Sequence, residues 1–222
     1  MAKELEIIGS SSASEVVIGE KVTISGAAEG GKGTYTYSYL VWNTTANTWT
    51  RLTSSFGSSS SYTWTANEAG NYKFYVEVKD EEGTTVRSSE VEVKVVKKLS
   101  ITGKSSVSEA TIGEKVKITG TAEGGKGTYT YSYLVWNTTT NTWTRLTNSF
   151  GKSNSYEWAA EQVGEYKFYV EVKDETGTTV RSSEIVVKVT ENVAKELEII
   201  GSSSASEVVI GEKVTVSEVG VK

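Results

Sequence analysis

The chain has 222 residues and contains no cysteine, no histidine and no proline. Without cysteine there is no disulfide and no thiol nucleophile, and without histidine the usual general base and most zinc sites are missing. We therefore expect a protein that is not an enzyme and that has no cofactor and no metal site. Its turns must be made by the 21 glycines, together with asparagine, aspartate and serine.

A basic surface and a long apolar run are also missing. The formal net charge is −5, and residues of both signs alternate along the chain, so no positive stripe is available for phosphates and we expect no nucleic-acid partner. No stretch of 18 or more apolar residues occurs, and no positively charged start precedes an apolar stretch. We therefore predict neither a membrane span nor a signal peptide in this chain.

Internal repetition is the strongest feature of the sequence. Residues 28–45 recur unchanged at 122–139, an offset of 94, and GTTVRSSE at Gly83 recurs at Gly177. Residues 2–25 recur at 194–217 with one change, Ile24 to Val216. We predict three parts: a first unit (1–96), a second unit (97–190) and a C-terminal segment (191–222) that begins a third unit.

Alternation of apolar and polar residues predicts strands throughout the first unit. In TYTYSYLVW, residues 34–42, Tyr35, Tyr37, Tyr39 and Val41 share one face. The pattern at 72–79 is the clearest amphipathic strand. Further strands are expected at 5–8 and 15–18, as two pieces of one strand split by a bend at 9–12, and at 21–26, 49–53, 62–65 and 84–95. About seven strands in 94 residues predict an all-β, immunoglobulin-like sandwich in each unit.

Tyr72 supports this fold. A tyrosine early in the sixth strand of such sandwiches donates a hydrogen bond to the upstream backbone, two residues before the usual cysteine. Phe74 takes the place of that cysteine here, and Tyr166 and Phe168 repeat the arrangement. Apolar packing is therefore expected to replace the disulfide. The linker Val96-Lys97-Lys98 is too short to act as a free tether, so we expect the units to be stacked end to end.

The segments GTYTYSYLVWN, TWTRL and YTWTANEAGNYKFYVEVKDEEG resemble the triple-tyrosine-motif repeats of clostridial and related bacterial surface proteins. The resemblance covers residues 5–95 and 99–189. It implies an extracellular or cell-surface spacer without catalysis, in which the tyrosines are structural. The chain departs from that pattern in lacking proline and in the near identity of its two units.

The six tryptophans and the acidic turns raise alternative functions. Exposed aromatic rings stack on sugars, and Trp49 and Trp143 are the candidate glycan-binding residues; the competing interpretation places the tryptophans in the core or in cross-strand pairs. Calcium at Asp80-Glu81-Glu82 or Asp174-Glu175 is disfavoured, because these turns lack the alternating acidic spacing of a calcium loop. We expect ordinary hairpin turns there.

The C-terminal segment suggests self-assembly. Alone it holds only the first two strands of a sandwich, so it would leave apolar side chains and a sheet edge without partners. In another chain it could take the place of the near-identical N-terminal residues, which would link chains head to tail into fibres. The residues of this hypothesis are Leu5, Ile7, Val22 and Ile24, and Leu197, Ile199, Val208, Ile210, Val214 and Val216. The expected function is a structural or adhesive repeat protein that associates with itself or with cell-surface partners.

Overall fold

The computed structural model describes residues 3–192, 201–203 and 216–218. The first unit contains nine strands: β1 Glu6–Ser11, β2 Glu15–Val17, β3 Lys21–Glu29, β4 Thr36–Asn43, β5 Thr48–Arg51, β6 Ser61–Thr65, β7 Gly70–Lys79, β8 Thr85–Arg87 and β9 Val91–Val96. They form two sheets. The smaller sheet has the order β1-β3-β6, and the larger sheet has the order β2-β9-β7-β4-β5 with β8 paired to β7. This is the two-layer sandwich that the sequence predicts.

The second unit repeats this arrangement strand by strand. Its strands are β10 Ser100–Ser105, β11 Glu109–Thr111, β12 Lys115–Glu123, β13 Thr130–Asn137, β14 Thr142–Arg145, β15 Ser155–Ala159, β16 Gly164–Lys173, β17 Thr179–Arg181 and β18 Ile185–Thr190. The sheet orders are β10-β12-β15 and β11-β18-β16-β13-β14, with β17 paired to β16. The prediction of tandem immunoglobulin-like sandwiches is confirmed, while the domain boundaries at 96 and 190 remain predictions.

The core lies between the two sheets of each unit. Alternation in β7 brings Tyr72, Phe74, Val76 and Val78 inward, and all four are buried. In the second unit, Tyr166, Phe168, Val170 and Val172 of β16 occupy the same places. Apolar burial of this kind is the main source of stability in a chain without disulfides.

The tyrosine-rich strand contributes to the core on one face, as expected. Tyr37, Tyr39 and Val41 of β4 are buried in the first-unit core, and Tyr35 packs against its margin. On the opposite face Ser38 and Leu40 are buried as well, which alternation does not predict. Neighbouring side chains on the outside of the larger sheet cover them.

Three strand predictions are wrong. The bend expected at 9–12 lies at 12–14, because β1 continues to Ser11. The segments expected as pieces of one strand belong to different sheets, because β1 pairs antiparallel with β3 whereas β2 pairs parallel with β9. The strand expected at 84–95 is interrupted, since β8 ends at Arg87 and β9 begins at Val91. Each unit therefore has nine strands rather than seven.

Two short strands are described in the C-terminal segment. They are β19 Gly201–Ser203 and β20 Val216–Glu218, and they pair antiparallel with Gly201 opposite Glu218 and Ser203 opposite Val216. The register is that of β1 and β3, in which Gly9 lies opposite Gly26. The segment therefore pairs with itself as the opening of a unit does. Leu197, Ile199, Val208, Ile210 and Val214 lie outside the described residues.

In the described part of the chain, no helix has the length and apolar character needed to cross a membrane.

Candidate functional site

The outer face of the larger sheet carries a row of aromatic rings. Trp42 on β4 stacks against Trp49 on β5, with ring centroids 5.7 Å apart and planes 6° apart. Trp49 also contacts Tyr75 on β7 at 5.3 Å. These three residues, the aromatic row, recur as Trp136, Trp143 and Tyr169. Two-residue alternation places the row on the face opposite the core.

The sugar-stacking candidates are the most exposed members of this row. Trp49 is 54% exposed and Trp143 is 53% exposed. Both also make cross-strand aromatic contacts, which is the role that the competing structural interpretation gives them. Trp64 and Trp158 instead pack against the core beside Phe74 and Phe168.

A charged cluster lies beside the aromatic row and was not anticipated from the sequence. Glu77 Oε2 accepts hydrogen bonds from Nη1 and Nη2 of Arg51, both at 3.0 Å. Its Oε1 accepts from Nη2 of Arg87 at 2.7 Å, and Arg51 Nη1 also donates to Ser38 Oγ at 2.6 Å. Glu171, Arg145, Arg181 and Ser132 repeat this arginine–glutamate cluster in the second unit.

The cluster changes the titration of its glutamate. Burial alone raises the pKa of Glu77, but the hydrogen bonds from Arg87 and Arg51 outweigh it and hold the pKa below its usual value. Glu171 behaves in the same way. Both carboxylates are therefore fully occupied as ion-pair partners rather than poised as acids or bases. Glu77 occupies an ordinary outward position in the alternation of β7, between Val76 and Val78, so the sequence carries no separate signal for this cluster.

The tyrosine corner is confirmed in both units. Tyr72 Oη donates to the carbonyl of Glu68 at 3.0 Å, and Tyr166 Oη donates to the carbonyl of Gln162 at 2.9 Å. Phe74 is fully buried and meets Trp64 edge to face, with centroids 5.1 Å apart. An aromatic pair thus fills the position of the usual disulfide.

The tyrosines of β4 are structural. Tyr39 Oη donates to the carbonyl of Ser59 at 3.1 Å, and Tyr35 Oη donates to the carbonyl of Gly30 at 2.6 Å. Burial raises the pKa of Tyr39 to about 12 and raises that of Tyr133 as well. Phenols buried in this way are not available for proton transfer near neutral pH.

The acidic turns are occupied by the chain's own hydrogen-bond donors. Asp80 accepts from the backbone N–H groups of Lys32 at 3.2 Å and Thr84 at 2.8 Å. Asp174 accepts from Thr176 and Thr178. Among the described residues, no group of three or more histidine, cysteine, aspartate or glutamate residues is arranged to hold a metal ion.

The glycine-rich loop of the second unit, residues 122–127, packs on the residues that lead into β10. Gly125 N–H donates to the carbonyl of Lys97 in the linker at 2.8 Å. At Gly124 the backbone has φ +71°, and a Cβ there would lie 2.3 Å from the carbonyl oxygen of Lys98. Only glycine fits both the dihedral and the space. The first unit has the same contact, from Gly31 N–H to the carbonyl of Lys3 at 2.9 Å, so the loop packs in this way within each unit.

An ion pair joins the two units. Lys126 Nζ lies 3.1 Å from Glu20 Oε2, which also accepts from the Val17 N–H at 2.8 Å. The Val17 hydrogen bond is the largest cause that lowers the pKa of Glu20, and the Lys126 hydrogen bond is the next. The partners are 106 residues apart, so no local pattern in the sequence points to them.

The structure places the self-assembly candidates of the first unit in its core. Val22 and Ile24 are fully buried, Leu5 is buried, and Ile7 packs against the same cluster. Val216 lies in β20, and its side chain is outside the described residues. Exchange of these strands between chains stays a prediction.

No protein-family model matches the chain, and no curated protein matches it. Solved structures that it resembles include a marsupial T cell receptor, at 14% identity over 90% of this chain and 77% of that chain, with a TM-score of 0.52. The fibronectin(III)-like modules of Clostridium thermocellum CbhA match at 18% identity over 85% and 95%, with a TM-score of 0.34. Titin domains I67–I69 match at 14% identity over 86% and 66%, with a TM-score of 0.48.

The two-sheet topology of each unit, together with the likeness to the T cell receptor, defines the chain as a tandem of immunoglobulin-like β-sandwiches. At such an identity this likeness shows the fold alone.

Proposed function

We propose that the chain is a non-catalytic, extracellular structural spacer that holds immunoglobulin-like units end to end, as the bacterial triple-tyrosine-motif repeats that it resembles would do. The observation that carries the proposal is the junction between the units. A linker of three residues and the Lys126–Glu20 ion pair join them. Neither the aromatic row nor the arginine–glutamate cluster offers a free acid, base or nucleophile.

Domain orientation in solution tests this function. Residual dipolar couplings measured by NMR on the full chain should fit one alignment tensor for both units. Insertion of five glycine and serine residues after Lys97 should give two different tensors. If the unmodified chain already shows two independent tensors, a fixed spacer is excluded.

Fibre formation through the C-terminal segment is the self-assembling form of this proposal. It is supported by the near identity of 2–25 and 194–217 and by the shared register of β1–β3 and β19–β20. Exchange must end at Ser217, because Glu218 stands where the first unit has Gly26. A Cβ at Gly26 would lie 2.8 Å from Cγ1 of Val76, and a carboxylate buried there without a partner is strongly disfavoured.

The energetics of exchange suggest the test. In the full chain, exchange replaces one opening hairpin by a nearly identical one, so each chain still has one hairpin that packs in no sandwich. The exchange therefore gains no packing to offset the entropic cost of association, which is about 4–15 kcal/mol. A chain without residues 2–25 lacks its own hairpin and should form filaments visible by electron microscopy. Removal of residues 194–222 from that chain should abolish them. If the chain without residues 2–25 remains monomeric by light scattering, strand exchange is excluded.

Glycan binding is a second candidate function, favoured by the exposure of Trp49 and Trp143 on the outer face of the larger sheet in both units. A glycan array probed with the full chain tests it. Binding should be lost in Trp49→Ala with Trp143→Ala and kept in Ile8→Ala, which removes an exposed apolar residue on a different sheet. An array without any bound glycan excludes this function.

A further inference from the structure

The lysine of the glycine-rich loop has different partners in the two units. The loop sequence AEGGKG is the same at 28–33 and 122–127. In the first unit Lys32 Nζ bonds Glu82 Oε1 at 2.5 Å, within its own unit. In the second unit Lys126 Nζ bonds Glu20 of the preceding unit at 3.1 Å. The Lys126 side chain is 24% exposed, whereas that of Lys32 is 61% exposed.

The backbone around these lysines does not explain the difference. The N–H of Lys32 donates to Asp80 and its carbonyl accepts from Glu81 N–H. Lys126 makes the same two bonds, with Asp174 and Glu175. Both loops are therefore fixed on the following hairpin turn in the same way, and the side chains start from equivalent places.

The turn itself differs at one position. The first unit has Asp80-Glu81-Glu82-Gly83, and the second has Asp174-Glu175-Thr176-Gly177. Thr176 Oγ1 donates to Asp174 Oδ1 at 2.7 Å, so its short side chain folds onto the turn. No carboxylate occupies the place from which Glu82 holds Lys32.

We propose that the residue at 82 and 176 decides whether a unit docks on its predecessor: glutamate keeps the loop lysine within the unit, and threonine releases it to bind the glutamate between the second and third strands of the previous unit. A unit with glutamate at this position then does not dock on a unit before it, whereas a unit with threonine does. This inference rests on the proposed spacer function and names what sets its junction.

The surface that binds the loop lysine of the following unit is also present on the second unit. Glu114 occupies the position of Glu20 and accepts from the Thr111 N–H at 3.0 Å, as Glu20 does from Val17. The preceding isoleucine differs in exposure: Ile18 packs against the first-unit core, whereas Ile112 is 40% exposed. By continuity with the existing junction, this surface fits the N-terminal end of a further unit of the same kind whose turn carries threonine. Its charge is complementary to the released lysine.

Three variants of the full chain test the role of position 176. Thr176→Glu should capture Lys126, and the pKa of Glu20 measured by NMR titration should rise, although it stays below the usual value because the Val17 hydrogen bond remains. Thr176→Gln removes the same threonine contacts without adding charge and should leave Glu20 unchanged. Glu82→Thr should also leave it unchanged.

The proposal is overturned if Thr176→Glu leaves the titration of Glu20 as it is in the unmodified chain, or if Thr176→Gln shifts it equally. This outcome is separate from failure of the spacer function, which is read from the alignment tensors of the unmodified chain.

The second docking surface is tested by adding a unit. A chain in which residues 97–190 are repeated directly after Thr190 should shield the methyl groups of Ile112 from a soluble paramagnetic probe. The same chain with glutamate in place of threonine at the turn of the added unit should leave Ile112 accessible. If Ile112 is equally accessible in both chains, no such surface operates.

Discussion

The two units have cores of the same design but different ends. Phe74 and Phe168, Tyr39 and Tyr133, and the arginine–glutamate clusters agree in burial and in hydrogen bonds. At the ends, the same loop lysine binds Glu82 in one unit and Glu20 across the junction in the other. Interior positions of a sandwich are constrained by packing on all sides, whereas an end position is constrained only by its neighbour in the array. One residue at an end can therefore change how units join without affecting how each unit folds.

The aromatic pair that replaces the disulfide gives the largest expected effect. Phe74→Ala and Phe168→Ala should each destabilise their own unit by about 3–5 kcal/mol, because each leaves a cavity in a close-packed core. Denaturant-dependent amide hydrogen exchange assigns the loss to one unit. A loss of equal size in both units from a single substitution would contradict the independence of the two cores.

The arginine–glutamate clusters should behave alike in both units and should depend on pH. Since the pKa values of Glu77 and Glu171 are lowered on folding, their contribution is present above the unfolded value of about 4.3 and is lost as the pH falls through the folded pKa. Glu77→Gln and Glu171→Gln should each cost about 1.5–3 kcal/mol at pH 7, the range for hydrogen bonds to charged groups.

Urea unfolding at pH 7 and at pH 3 measures this effect. The difference between variant and unmodified chain should shrink at the lower pH. A difference that is the same at both pH values would show that the carboxylate charge does not contribute.

The tyrosine corners should give a smaller effect of equal size in the two units. Tyr72→Phe and Tyr166→Phe each remove one hydrogen bond to a backbone carbonyl and keep the ring, so the expected cost is about 1 kcal/mol. Thermal unfolding followed by circular dichroism measures the cost, and Tyr62→Phe serves as a control on the margin of the core. Unequal costs in the two units would mean that the corners are not equivalent.

Alternation and turn residues predict much of this fold. The inward positions of β4 and β7 and the tyrosine corner follow from the sequence, because a strand that is half buried shows its buried face in its own residues. The pairing of β2 with β9 cannot be predicted from the sequence. Both strands are short, and parallel and antiparallel pairing give the same alternation of apolar and polar residues. The burial of Ser38 and Leu40 depends on Arg51 and on the aromatic row, whose side chains reach across neighbouring strands.

The candidate sites were predictable in part. The exposed tryptophans follow from composition and repetition. The Lys126–Glu20 pair joins residues that are distant in sequence, and nothing in either segment marks the contact. The comparison of the repeats does contain one signal, which is the change from Glu82 to Thr176 within an otherwise conserved pattern of loop and turn. Its meaning depends on the three-dimensional junction.

The junction ion pair should have the smallest effect on stability. Exposed ion pairs contribute about 0–1 kcal/mol. Lys126→Ala should therefore lower the free energy of unfolding of the first unit by less than about 1 kcal/mol, and Lys32→Ala should leave that of the second unit unchanged. A double-mutant cycle of Lys126→Ala with Glu20→Gln, measured at 20 mM and 500 mM salt, isolates the pair. We expect the coupling to vanish at high salt, because screening weakens exposed pairs. Coupling that persists at high salt would assign the junction to apolar packing, and the ends of the two units would then differ in shape rather than in charge.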